Sequence, residues 1–213
     1  TAKGLVAKDL ASDPKTGKDF ADQAYLKNTV TYNPTLAKKL WAKGLKETGI
    51  KKLTLRMVSS NEEPNKPVSQ YYKGQLEKEL SGLTVDLSNI PASVMSQRRE
   101  SGDFDIYLGM WGADFNDPIS YLQIFKKDSG YNFGKYSNTQ YDALVDKASN
   151  QDANNADARW QDMIEAEQVL MKDQAIAPVY QTVYSFLVNP KVKGIIHNTA
   201  GTQWNYKYTY IAK

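Results

Sequence analysis

Asp103, Asp105, Asp114 and Asp117 crowd into the run "DFDIYLGMWGADFNDP", with Trp111 among them. Two chemistries suit such a group. A pair of carboxylates about 5 to 10 Å apart can act as acid and base on a glycosidic bond. A single carboxylate beside an indole in a partly dehydrated crevice is instead an anion in need of a cation, and a ligand ammonium would supply one. Asp103 and Asp105 flank the start of an expected strand. Asp114 lies about nine residues past Asp105, roughly 30 Å along an extended chain, so only Asp114 and Asp117 could cooperate. Asp117 precedes Pro118 and reads as a helix cap. Asp114 is open to both readings, a cap or a ligand anchor.

Other site chemistries find little in the sequence. The 213 residues contain no Cys and one His, His197 in "KGIIHNTAG", so thiolate sites and a histidine metal cluster are both unavailable. No metal or cofactor is expected. No Gly-x-Ser-x-Gly elbow accompanies the histidine. The balance of 27 basic to 24 acidic side chains gives a net charge of +3, and nucleic acid is not an expected partner. No run reaches the roughly 18 to 20 apolar residues that span a bilayer, and no signal peptide opens the chain. Cysteine absence suits a protein working outside a cell. The beginning, "TAKGLVAKDLASDPKTGKDF", lacks Met and reads as a cut through a longer protein.

The elements that must position these residues follow from periodicity. Residues 1–32 read as an irregular lead-in near a hinge. Asn33 and Pro34 open a helix whose stripe is Leu36, Leu40, Trp41 and Leu45, closed at Gly49. "KKLTLRMVSS" alternates as a strand, "NEEPNKP" is a loop, and Val68, Tyr72, Leu76 and Leu80 recur at helical spacing. "LTVDLSNI" is a second strand, "PASVMSQRRESG" a helix, and "DFDIYLGMWGADF" a third strand. "ISYLQIF" begins a helix after Asp117-Pro118, and "TQYDALVDKAS" and "DARWQDMIEAEQVLMKDQ" make two more. The tail "AIAPVYQTVYSFLVNP", "KVKGIIHN" and "QWNYKYTYI" is β-rich. The expected fold is α/β, a mixed, mostly parallel sheet flanked by helices in one unit. In such sheets ligands sit beyond the carboxyl ends of the strands, which is where Trp111 to Asp114 would lie. Gly109 and Gly112 would let another backbone approach.

The ordered motifs Gly-x-Phe-Asp, Trp-x-Ala-Asp, Asp-Pro, Tyr-x-x-Leu and Pro-x-Tyr, within "RRESGDFDIYLGMWGADFNDPISYLQIF", "YSNTQYDALVDKAS" and "APVYQTVYSFLVNPKVKG", resemble the C-terminal lobe of oligopeptide-binding proteins of ABC importers, extracellular solute-binding protein family 5. The resemblance runs from about residue 50 to the end. It implies one lobe of a two-lobed, type II periplasmic-binding-protein-like fold over residues 1–213, with no catalysis. It implies that Asp114 holds a peptide α-amino group and that Met110, Trp111, Gly112 and Ala113 line the peptide. Arg99 stands where some relatives hold the peptide carboxylate, whereas Leu108 replaces a residue that is basic in some of them. The implied partners are an oligopeptide, a membrane permease and a missing N-terminal lobe. The implied location is extracellular, lipid-anchored at the cell surface or periplasmic. Other ligands of related proteins, namely a dipeptide, nickel complex, pheromone peptide or oligosaccharide, remain alternatives, as do a glycoside hydrolase and an adhesive surface domain.

Overall fold

A computed structural model describes residues 2–213. Contacts divide them into two compact units, residues 32–110 and residues 2–31 with 111–213.

The first unit is built on a parallel sheet. Strand β1, Leu53–Ser60, pairs in parallel register with β2, Leu83–Ile90, and with β3, Ile106–Tyr107, in the order β2-β1-β3. The helices numbered α3 to α5 belong to this unit. Helix α3, Pro34–Thr48, begins where Asn33 accepts the Leu36 N–H and ends at Gly49, whose φ of 71° is the left-handed conformation that glycine adopts without a Cβ penalty. Helix α4, Asn65–Glu79, crosses from β1 to β2 and packs on both, and α5, Ala92–Ser101, leads to β3. Met57, Leu83 and Val85 are buried on the sheet beneath Leu76, Leu80, Trp41 and Tyr72. The order 2-1-3 makes the carboxyl ends of β1 and β3 neighbours, the switch point where open α/β sheets receive ligands.

The second unit is mainly helical. Helix α7, Thr139–Ser149, packs against α8, Ala156–Asp173, and α6, Ile119–Leu122, continues into a 3₁₀ turn over Gln123–Phe125. Tyr141, Val145, Met163, Leu170 and Leu122 form its core. Residues 2–31 share that core: Val6, Leu10, Phe20 and Ala24 are buried in it. Two short helices, α1, Phe20–Ala24, and α2, Lys27–Val30, lie in this lead-in, which the sequence reads as irregular.

Three expectations are corrected. The strand expected from Asp103 to the tryptophan pairs only at Ile106 and Tyr107, and its last bond to β1 runs from the Leu108 N–H to the Val58 carbonyl at 3.0 Å. The β-rich reading of 175–190 fails because residues 176–189 carry no regular structure. The remaining strands are short antiparallel ribbons outside the parallel sheet. Val192–Lys193 (β4) pairs with Tyr210–Ile211 (β7), and Ile196–His197 (β5) with Trp204–Asn205 (β6).

Candidate functional site

Residues 111–114 form a loop anchored through one buried residue, Ser120 on α6. The Asp114 N–H donates to Ser120 Oγ at 2.8 Å, and Trp111 Nε1 donates to the Ser120 carbonyl at 3.0 Å. Tyr121 Oη donates to the Trp111 carbonyl at 3.4 Å, and burial pushes its phenol up from the usual value. The other side of the loop is held by Gly201, whose N–H donates to the Ala113 carbonyl at 2.8 Å. A Cβ on Gly201 would stand 2.7 Å from the Asp114 carbonyl, and its φ is +65°, so this close approach requires glycine. The Trp111 ring meets Tyr131 edge-on, centroids 4.9 Å apart.

The main chain of the loop is therefore fixed while the Asp114 side chain points to solvent. Its carboxylate makes no ion pair or hydrogen bond among the described residues. Gly112 is exposed, with open space where its Cβ would be, so the backbone there is accessible. Ala113 is half-buried against the helical core.

The other candidate residues belong to residues 32–110. Met110 is 55% exposed. Arg99, on α5, is half-buried, with a guanidinium nitrogen 3.5 Å from Glu100. Gly109 does not open its surroundings, because a Cβ there would meet the Tyr107 ring at 2.3 Å.

The remaining aspartates have structural work. Arg56 on β1 forks to Asp105 at 3.1 and 3.2 Å and also pairs with Asp103, which Arg98 Nε reaches at 2.8 Å. The Arg56 guanidinium holds the Asp105 carboxyl below the usual carboxylate range. Asp117 accepts the Ile119 N–H at 2.9 Å, the cap role expected of it, and receives both terminal nitrogens of Arg159 at 2.7 and 3.0 Å. Three of the four acids that might have made a catalytic pair are thus tied to cations. No group of three or more metal-ligating side chains occurs among the described residues.

Ser120, Tyr121, Tyr131 and Gly201 escape sequence reasoning. The available signal was a serine inside the apolar run "ISYLQIF", since a buried hydroxyl there needs polar partners.

Comparison with known proteins now bears on this site. Residues 2–133 match the bacterial extracellular solute-binding proteins, family 5 Middle. The chain belongs to that family. This family 5 protein is 33% identical over 94% of its length to a dipeptide-binding protein of Lactococcus lactis subsp. cremoris, of which the match covers 36%. All of it superposes on 40% of the substrate-binding domain of an oligopeptide ABC transporter from Bacillus anthracis, with a TM-score of 0.88 and 32% identity. It likewise superposes on 40% of Listeria monocytogenes OppA bound to peptide, with a TM-score of 0.85 and 33% identity. The family 5 chain spans about a third of the length of the curated relatives it matches. The expected α/β fold with a periplasmic-binding-protein-like parallel sheet is found, as is the expected membership among peptide-transport solute-binding proteins. No helix is long and apolar enough to cross a membrane among the described residues.

Proposed function

We propose that this chain is one lobe of a longer extracellular or periplasmic protein that captures oligopeptides and hands them to the permease of an ABC importer. The observation that carries the site is the Asp114 carboxylate, exposed and unpaired on a loop whose backbone Ser120 and Gly201 hold in place. A held backbone limits where the carboxylate can reach, so less freedom is lost when a ligand docks than on a loose loop. A carboxylate selects an ammonium, and Asp114 takes the peptide α-amino group. Trp111, Gly112 and Ala113 border the first residues of the peptide, with Gly112 leaving room for its backbone. Met110 and Arg99 are assigned to the same ligand, Arg99 toward a carboxylate. The names of the relatives, one a dipeptide-binding protein and another a peptide-bound oligopeptide-binding protein, support a peptide and leave its length open.

A second lobe completes the trap. Residues 183–188 support this reading: Val183, Tyr184, Phe186 and Leu187 are exposed together on an irregular segment, the kind of clustered apolar surface that marks an interaction face. The capture protein performs no catalysis and reaches the membrane through a lipid anchor or works free in a periplasm.

The test is native mass spectrometry of the longer protein purified from its own cells, beside Asp114→Asn. Co-purified peptides depleted in the variant are expected. A bound sugar, or an unchanged peptide complement in the variant, would contradict the amine anchor.

A further inference from the structure

The unit of residues 32–110 carries an apolar feature that peptide capture at Asp114 does not use. Helix α3 has 15 residues and none is buried. Its apolar stripe instead walls an open groove of about 420 Å³, within the range of pockets that hold small ligands. Ala37, Leu40, Trp41 and Leu45 form one wall, and Leu53 and Leu80 lie opposite. Trp41 is fixed there because its indole N–H donates to the Ser81 carbonyl at 2.8 Å. Leu40 remains 56% exposed, and Ile50, at the end of the groove, 41%. An amphipathic helix ordinarily covers such a stripe completely.

Charge around the groove is one-sided. Residues 33–53 hold six lysines, Lys38, Lys39, Lys43, Lys46, Lys51 and Lys52, against one acid, Glu47. The acids near the groove are already matched: Glu47 lies 3.6 Å from Lys43, and Glu79 receives Lys38 at 2.7 Å and Lys78 at 3.9 Å. Lys51 and Lys52 flank the lining residues Ile50 and Leu53 and are exposed, without an ion pair among the described residues. An apolar trough whose lining residues Ile50 and Leu53 are joined in the chain by two exposed, unmatched lysines complements a molecule with an apolar body and an anionic head.

We propose that this groove binds a single-chain anionic amphiphile, its apolar chain along Leu40, Trp41 and Leu45 and its carboxylate at Lys51 and Lys52. The groove shares no residue with the Asp114 loop and does not rest on the peptide reading. A monomer is favoured over a bilayer surface because the feature is concave, and a groove admits one chain where a flat bilayer would bridge it.

The probe is sodium laurate below its micelle concentration, titrated by calorimetry into the longer protein freed of bound peptide, with tryptophan fluorescence recorded in parallel. Saturable binding of one laurate is expected. It should weaken about tenfold or more when Lys51→Glu and Lys52→Glu are combined, and similarly in Leu40→Gln, a change at an exposed position. Dodecyltrimethylammonium, with the same chain and opposite charge, should bind about tenfold more weakly or not at all. Absence of saturation, equal binding of the cationic amphiphile, or indifference to both variants would overturn the proposal. So would adsorption to phosphatidylglycerol vesicles without binding of monomeric laurate, since that would make the face a membrane dock.

Discussion

Ser120 shows how one buried residue can hold an exposed loop. Its hydroxyl accepts the Asp114 N–H and its carbonyl accepts the Trp111 indole, so one buried residue holds the ring and the backbone that carries the carboxylate. Ser120→Ala keeps the carbonyl bond but strands the Asp114 N–H, which costs about 1 to 3 kcal/mol where water cannot replace the partner. Urea unfolding should show that loss, together with weaker peptide binding by the longer protein. Unchanged binding would mean that the Ser120 hydroxyl is not needed to hold the loop for ligand. Asp117 illustrates what was legible at this scale: an aspartate before a proline announces a cap, and it caps. Its fork with Arg159, forty-two positions away, has no local signature.

Among the elements, helices declared themselves where caps and stripes agreed. Asn33 with Pro34 and Gly49 bound α3, α7 occupies the run "TQYDALVDKAS", and β2 occupies the run whose alternation announced it. The third strand was overread because alternation reports which way side chains face and not whether a partner strand continues beside them. Residues 176–189 were overread for the same reason. In the lead-in, α1 and α2 have five and four residues, too few turns to show a period, although Phe20 and Val6 are buried. What secures that lead-in is Glu167 on α8, whose carboxylate oxygens accept the Leu5 and Val6 N–H groups at 3.2 Å each. Burial pushes its carboxyl from 4.5 up to about 7. Between those values the folded state keeps a proton that the unfolded chain releases, so stability falls as pH rises through the window, by on the order of 3 kcal/mol. Glu167→Gln should abolish that slope. Urea midpoints near pH 5 and above pH 7 would check it, and an identical slope in both proteins would contradict the assignment.

The chain as a whole is a member of a family whose fold, a parallel sheet flanked by helices, its sequence order of strand, helix and strand already implied. The division into residues 32–110 and the remainder was not legible, because it depends on the lead-in returning to pack with α7 and α8 rather than on any linker composition. The proposed peptide site was legible only as far as one loop, residues 111–114, since the proposed second lobe would supply the rest. The central claim is that this loop reads a free amino terminus. It is tested most directly by calorimetry on the longer protein, comparing a peptide it binds with the same peptide N-acetylated. Acetylation and Asp114→Asn should each weaken binding by about tenfold or more, and together by little more than either alone, because both remove one ion pair. Full affinity for the acetylated peptide, or additive losses, would contradict the account.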